Sequence, residues 1–306
     1  MTAQDDPADR APRQGPVRSP LVWYGGKGRL RTQIVPLFPP HATYVEVFGG
    51  AAWCLLAKPP SPVEVYNDID RGLTGFFRVL RDPALAERFL RMAALTPYSR
   101  EMYAACKDWE SATDPVERAF RWFYVAAMSY SGRWGEGWSH SARGTSRGIS
   151  ALVSRYFAGV ERLPDVAARL LLVQIENLPW EQLLATYDGP DTFFYCDPPY
   201  VPATRTKPSA YAHEMSLEAH TALVAALRTL QGRVMLSGYR NPLYATLETA
   251  GWQRLDFHMS VAAAARNEGA DLVRQESIWI NFPTHVMPGF WELPALAPRH
   301  IQGELR

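Results

Sequence analysis

Six short runs of aliphatic, β-branched and aromatic residues punctuate the chain: YVEVF (44–48), VEVY (63–66), LLVQIE (171–176), TFFYC (192–196), RVMLSGY (233–239) and ESIWINF (276–282). Each has the length and composition of a buried strand, and helical stretches lie between them. AAWCLLAK links the first two. LEAHTALVAALRTL (217–230) separates later ones, with Leu217, Val224, Leu227 and Leu230 near one helical face. Buried strands alternating with helices predict βαβ units and a mostly parallel sheet with both faces covered, an α/β class.

Between VEVY and LLVQIE the pattern turns helical for about ninety residues. VERAFRWFYVAAMSY sets Val116, Ala119, Phe120, Phe123, Ala127 and Tyr130 at three- and four-residue spacing. It runs into SGRWGEGWSHSARGTSRG (131–148), too polar for a core and too long for an idle connection. The expected organisation is a disordered tail at 1–18, a discontinuous α/β domain at 19–75 and 165–285, a helical insertion at 76–164, and a partly ordered tail at 286–306.

A chain of 306 residues, 47% hydrophobic and 21% charged, has ordinary globular composition. No apolar run approaches the ~20 residues of a membrane span, and the N-terminus has no signal-peptide core, so no membrane association is expected. Three cysteines without CxxC spacing argue against a disulfide framework or a metal site and suit a reducing cytoplasm. The net charge of +1 implies no partner. Its distribution is more telling, because Arg118, Arg121, Arg133, Arg143, Arg147 and Arg155 face only Glu136 across that stretch. Such a stretch reads either as a nucleic-acid footprint or as a solvated arginine-rich face.

The ends of the strands carry chemistry. YVEVFGGAAW is a strand, a Gly49-Gly50 turn and a helix start. Glycines there let backbone approach a ligand, which in open α/β sheets sits beyond the carboxyl ends of strands. The next strand ends in Asp68, nineteen residues after Gly49, where a carboxylate can accept from both hydroxyls of a ribose. No G-x-G-x-x-G is present to hold a pyrophosphate. Glu46 beside the turn suits instead a cationic ligand without phosphate, and S-adenosylmethionine fits; the alternative is a buried strand carboxylate paired to an arginine. In SPLVWYGGKGRL (19–30), Lys27 can bind a carboxylate and Trp23 can cover an apolar ligand face, or the segment is a plain turn.

The strand TFFYC ends in Asp197, Pro198, Pro199 and Tyr200. Two prolines remove two N–H donors and fix φ, so pairing must stop there. Methylating an exocyclic base amine requires acceptors for its N–H groups, and Asp197 with the Pro198 carbonyl supplies them on a stiff loop. Tyr200 offers a ring on which a flipped base can stack. Cys196 is strand core and no nucleophile is needed. The bland alternative is an Asx-Pro turn.

With WYGGK, YVEVFGG, YNDID and DPPY in this order, the chain resembles the Dam-like α-group of DNA adenine-N6 methyltransferases, phage-borne relatives included. The resemblance covers most of residues 19–282 and extends to LSGYRNPLY and ESIWINF. It implies a Rossmann-like S-adenosylmethionine-dependent methyltransferase fold with a helical DNA-recognition insertion, acting on double-stranded DNA without an evident obligate protein partner. By the same resemblance Trp23 and Lys27 contact S-adenosylmethionine, Asp68 holds its ribose, Asp197 borders cofactor and amine, and Tyr200 stacks on adenine. The candidate DNA contacts are Tyr130, Ser131, Arg133, Arg143 and Arg147. Relatives show Tyr-Asn-Gly where this chain has Tyr130-Ser131-Gly132, and often a third glycine where it has Ala51. Cytosine-N4 methylation, a nucleotide-binding oxidoreductase and a non-catalytic DNA-binding module are the competing readings.

Overall fold

The apolar runs become strands whose order follows from their crossovers in the computed structural model, which describes residues 16–204, 213–260 and 273–284. Strands are β1 (Thr43–Glu46), β2 (Val63–Asn67), β3 (Thr145–Ser146), β4 (Ile149–Ser150), β5 (Gln174–Glu176), β6 (Thr192–Cys196), β7 (Arg233–Gly238), β8 (Gln253–Ser260) and β9 (Val273–Ile280). Among the described residues seven of them form one sheet, ordered β5-β2-β1-β6-β7-β9-β8. The first five run parallel; β9 is antiparallel to β7 and to β8.

Side chains alternate between two cores, as the pleat requires. Tyr44, Tyr66, Phe193, Tyr195 and Met235 point to one face, while Val45, Val65, Phe194, Cys196, Val234 and Leu236 point to the other. The second face is covered by α9 (Trp180–Tyr187), α10 (Leu217–Leu227) and α11 (Pro242–Thr249). The first packs on α1 (Arg31–Ile34), α2 (Trp53–Ala57) and the helices of the insertion: α3 (Arg71–Arg81), α4 (Pro83–Leu95), α5 (Arg100–Cys106), α6 (Pro115–Met128), α7 (Ala151–Val160) and α8 (Leu163–Leu170).

The helices between β2 and β5 run from Arg71 to Leu170, a span that contains the 76–164 expected for the insertion. The start is set by Asp70, whose carboxylate caps α3 through the N–H groups of Gly72 and Leu73 at 2.8 and 3.1 Å. Asp82-Pro83 and Asp114-Pro115 begin α4 and α6 in the same way, with proline where its missing N–H costs nothing. At the far end Arg169 of α8 reaches Glu64 of β2 at 2.7 Å, both fully buried, and Lys58 shares that carboxylate. The insertion is thus continuous with the core of the sheet.

Two expectations shift. Val17, assigned to the N-terminal tail, is buried and its N–H bonds the Leu56 carbonyl at 2.8 Å. Leu171 and Leu172 turn outward ahead of β5 and are exposed. Residues 131–148, expected to be too polar for a core, are exposed or half-buried except Gly132 and Ser139; the segment is held by Trp134, which donates to the Trp122 carbonyl at 3.2 Å, and by Trp138, which stacks on His140 with Arg100 above it. The remainder of the tail at 1–18 and the whole of 286–306 lie outside the described residues. No helix among the described residues is long and apolar enough to cross a membrane.

Candidate active site

After β2 and β5 the chain returns to the opposite side of β1, so β1 and β6 are adjacent parallel strands at a topological switch point. Such a point opens a crevice at the carboxyl edge. A cavity of about 490 Å³ lies there, lined by Trp23, Lys27, Glu46, Gly49, Gly50, Asp68, Asp197 and Pro198. Every predicted cofactor residue is among these. Ile69, Trp53 and Trp180 add apolar walls.

The glycine turn is built by packing as much as by backbone freedom. A Cβ on Gly49 would lie 2.2 Å from the Tyr66 ring, whose hydroxyl donates to the Gly50 carbonyl at 2.6 Å. Gly50 has φ of +49°, and its N–H donates to Asp68 Oδ2 at 2.8 Å. The other Asp68 oxygen accepts from the Asp70 N–H at 2.9 Å. Burial pushes the Asp68 carboxyl up to about 6 against these two donors. Ala51 keeps an ordinary φ; the left-handed residue before α2 is Ala52. Asn67 ties the edge together, donating to the carbonyls of Val47 and Leu178 and accepting the Leu178 N–H.

Glu46 is buried, and its partners are the Tyr44 hydroxyl at 2.8 Å and the Leu55 N–H at 2.7 Å, both on Oε2. The arginine pairing weighed as an alternative is not its arrangement. Burial raises its carboxyl to about 8, the two donors opposing.

All five residues of β6 are buried, and Asp197 follows directly at the sheet edge. Lys27, 170 residues away in sequence, sits 2.7 and 2.8 Å from its two oxygens. Burial drives the Asp197 carboxyl above its usual range, Lys27 pulls it down, and the negative charge of Glu276 pushes it up again. A carboxylate held ionised by an ion pair yet desolvated is a strong hydrogen-bond acceptor. The Cys196 thiol is fully buried and raised by desolvation, which suits core rather than nucleophile.

Tyr200 is placed differently from the open stacking platform that the resemblance implies. Its ring is buried and packs edge-on against Tyr239 at 4.5 Å. Its hydroxyl accepts from Lys27 Nζ at 2.6 Å and donates to Glu276 Oε2 in a short hydrogen bond. Glu276, on β9, was not singled out in the sequence. ESIWINF reads as a strand, and nothing local marks its first residue as facing Asp197.

The insertion meets this site through residues 130–132. Tyr130 is exposed, Ser131 is left-handed at φ +55°, and the Gly132 carbonyl accepts the Tyr24 N–H at 3.1 Å. Gly132 lies against the Val22–Tyr24 backbone, where a Cβ would come within 3.0 Å. The structure separates the three arginines. Arg133 is packed 4.7 Å over the Tyr24 ring and paired to Glu136 at 3.2 Å, so it braces the loop before Lys27. Arg147 and Gly148, both at positive φ, make the two-residue turn of the β3–β4 hairpin, and Arg143 precedes it; both arginines are exposed. Arg118 and Arg121 are engaged locally, with the Ala112 carbonyl and with Glu117.

No curated protein sequence matches the chain. A family model for D12 class N6 adenine-specific DNA methyltransferases matches residues 23–255, which take in the glycine turn, Asp68, the insertion and DPPY. The match is to adenine-N6 chemistry and does not favour the cytosine-N4 alternative. The chain that brings Lys27, Glu46, Asp68 and Asp197 into one cavity belongs to the D12 class N6 adenine-specific DNA methyltransferase family.

Proposed function

We propose that this adenine methyltransferase uses S-adenosylmethionine as donor and acts on an adenine flipped out of double-stranded DNA, without an obligate protein partner. The family requires a methyl donor and a DNA substrate. The donor set supports S-adenosylmethionine. Glu46 suits a cationic end and Asp68 a ribose diol, in a cavity whose volume falls within the usual ~300–1,000 Å³ of small-molecule sites. Trp23 covers an apolar face, and Gly49-Gly50 permits close backbone approach. When bound, S-adenosylmethionine supplies the methyl group, the electron pair of the broken C–S bond staying on sulfur.

Asp197 and the Pro198 carbonyl hold the amine by its two N–H groups. The nitrogen gives its lone pair to the new C–N bond, becomes positive and releases one N–H proton toward the Asp197 carboxylate. Lys27 keeps that carboxylate ionised and oriented. Holding the amine in line in this way supplies part of the ~7–11 kcal/mol that orientation can contribute at best. Tyr200, buried here, fixes Lys27 through its hydroxyl. Arg147 in the hairpin turn and Arg143 just before the hairpin meet phosphates, and exposed Tyr130 lies beside the target, because the 130–132 turn is docked on the loop leading to Lys27.

The observation that carries this reading is Asp197 at the carboxyl end of β6, locked by Lys27 within the cavity that also holds Glu46 and Asp68. Purified protein incubated with duplex DNA and methyl-labelled S-adenosylmethionine should yield labelled N6-methyladenine on nucleoside digestion. Asp197→Ala should lower the rate by at least about 100-fold with melting temperature and DNA affinity retained. Near-normal turnover in that variant would sink the mechanism.

A further inference from the structure

Lys27 is shared between two carboxylates. Its ammonium sits on both oxygens of Asp197, 3.7 Å from Glu276 Oε2, and 2.6 Å from the Tyr200 hydroxyl that itself donates to Glu276. The side chains of Lys27, Asp197 and Glu276 are 4%, 16% and 13% exposed, so water screens their charges poorly. Glu276 lies on β9, beyond the residues that the family model matches.

We infer that Glu276 is a positioning residue for methyl transfer, acting through Lys27 and Tyr200 to keep Asp197 a competent acceptor. With Lys27 alone, Asp197 would belong to an ion pair of zero net charge, its oxygens still offering lone pairs to the amine but with no net negative charge behind them. The second carboxylate draws the same ammonium and leaves one cation among two anions, a cluster of net negative charge. That charge faces the amine nitrogen at the moment it becomes positive. Tyr200 sets the spacing, since its hydroxyl bridges Lys27 and Glu276 and its ring is wedged against Tyr239. The inference rests on the reading of Asp197 as the amine acceptor.

Single-turnover methylation of duplex DNA by Glu276→Gln should be about 10- to 100-fold slower than by the wild type, the rate equivalent of one charge-assisted hydrogen bond. Dissociation constants for the duplex and for S-adenosylmethionine should change by less than about threefold, because the missing interaction matters only in the transition state. A Lys27→Met/Glu276→Gln double variant should be no slower than Lys27→Met, since Glu276 acts through Lys27. If Glu276→Gln does not fold, Tyr200→Phe carries the test, keeping the ring and cutting the bridge, with a slowing of about tenfold. A wild-type rate in Glu276→Gln, a loss appearing in the dissociation constants, or losses that add to Lys27→Met overturn the assignment. Asp197→Ala run alongside separates the two failures. An active Asp197→Ala removes both readings, whereas an inactive one beside a fully active Glu276→Gln removes Glu276 alone.

Discussion

Glu46 should make donor binding a proton-linked event. Burial raises its carboxyl to about 8, so at pH 7 about nine-tenths of the empty protein carries it protonated. A donor that presents a cation here binds the ionised form. Ionising Glu46 at pH 7 costs about 1.4 kcal/mol, a tenfold loss of affinity, and at pH 6 about twice that. Because the pKa is raised, the charged form becomes scarcer as pH falls, and affinity must fall with it. Above about pH 8 the free donor's own α-amino group deprotonates, so the rise flattens there. Asp68, raised to about 6, contributes mainly below pH 6. Calorimetric titration with S-adenosylmethionine at pH 6 and 7, in two buffers of different ionisation enthalpy, reads both consequences. Affinity should rise about tenfold over that interval, with release of about 0.8 proton at pH 7. Glu46→Gln should abolish both. An affinity that does not change between pH 6 and 7, or an unaltered slope in Glu46→Gln, refutes the assignment of Glu46 to the cationic end.

Replacing Arg143 and Arg147 together by alanine should weaken binding to duplexes of any sequence and flatten the plot of log affinity against log salt by about 0.9 for each phosphate left without its arginine; Arg133→Ala should leave that slope alone, its side chain being 17% exposed and packed on Tyr24, whereas that of Arg147 is 63% exposed beside Glu161 at 3.4 Å. Gly49→Ala drives a Cβ to 2.2 Å from the Tyr66 ring and should cost about 1–3 kcal/mol, seen as a melting temperature lower by roughly 5 °C. Ser131→Asn places a residue tolerant of left-handed backbone at φ +55°; it should raise stability by about 0.5 kcal/mol in denaturant unfolding, and a decrease would show that the serine is chosen for its size.

The strands read most closely from the chain are those buried on both faces. TFFYC matches β6 residue for residue, because all five side chains pack and two prolines enforce the stop. The edge strand β8, QRLDFHMS, has no such signature. Its polar alternation carries no run of apolar residues, and pairing to β9 is what makes it a strand. LLVQIE suggested a longer β5 than exists, since hydrophobicity alone does not distinguish Leu171 and Leu172 in a turn from the same residues in a sheet.

For the site, sequence by itself determined the ingredients at each strand end: Gly49-Gly50, Asp68, Asp197 and the prolines that hold it. Local constraints suffice for those, because a strand's end, a tight turn and a stiff loop are set by neighbours in the chain. Tertiary structure alone decided who pairs with whom. Lys27 reaches Asp197 across 170 residues, and Tyr200 meets Glu276 across 76. It also buried Glu46 deeply enough to raise its pKa, and turned Arg133 inward while leaving Arg143 and Arg147 outside. Charge state and accessibility depend on what packs around a group, and packing is assembled by the crossovers of the sheet.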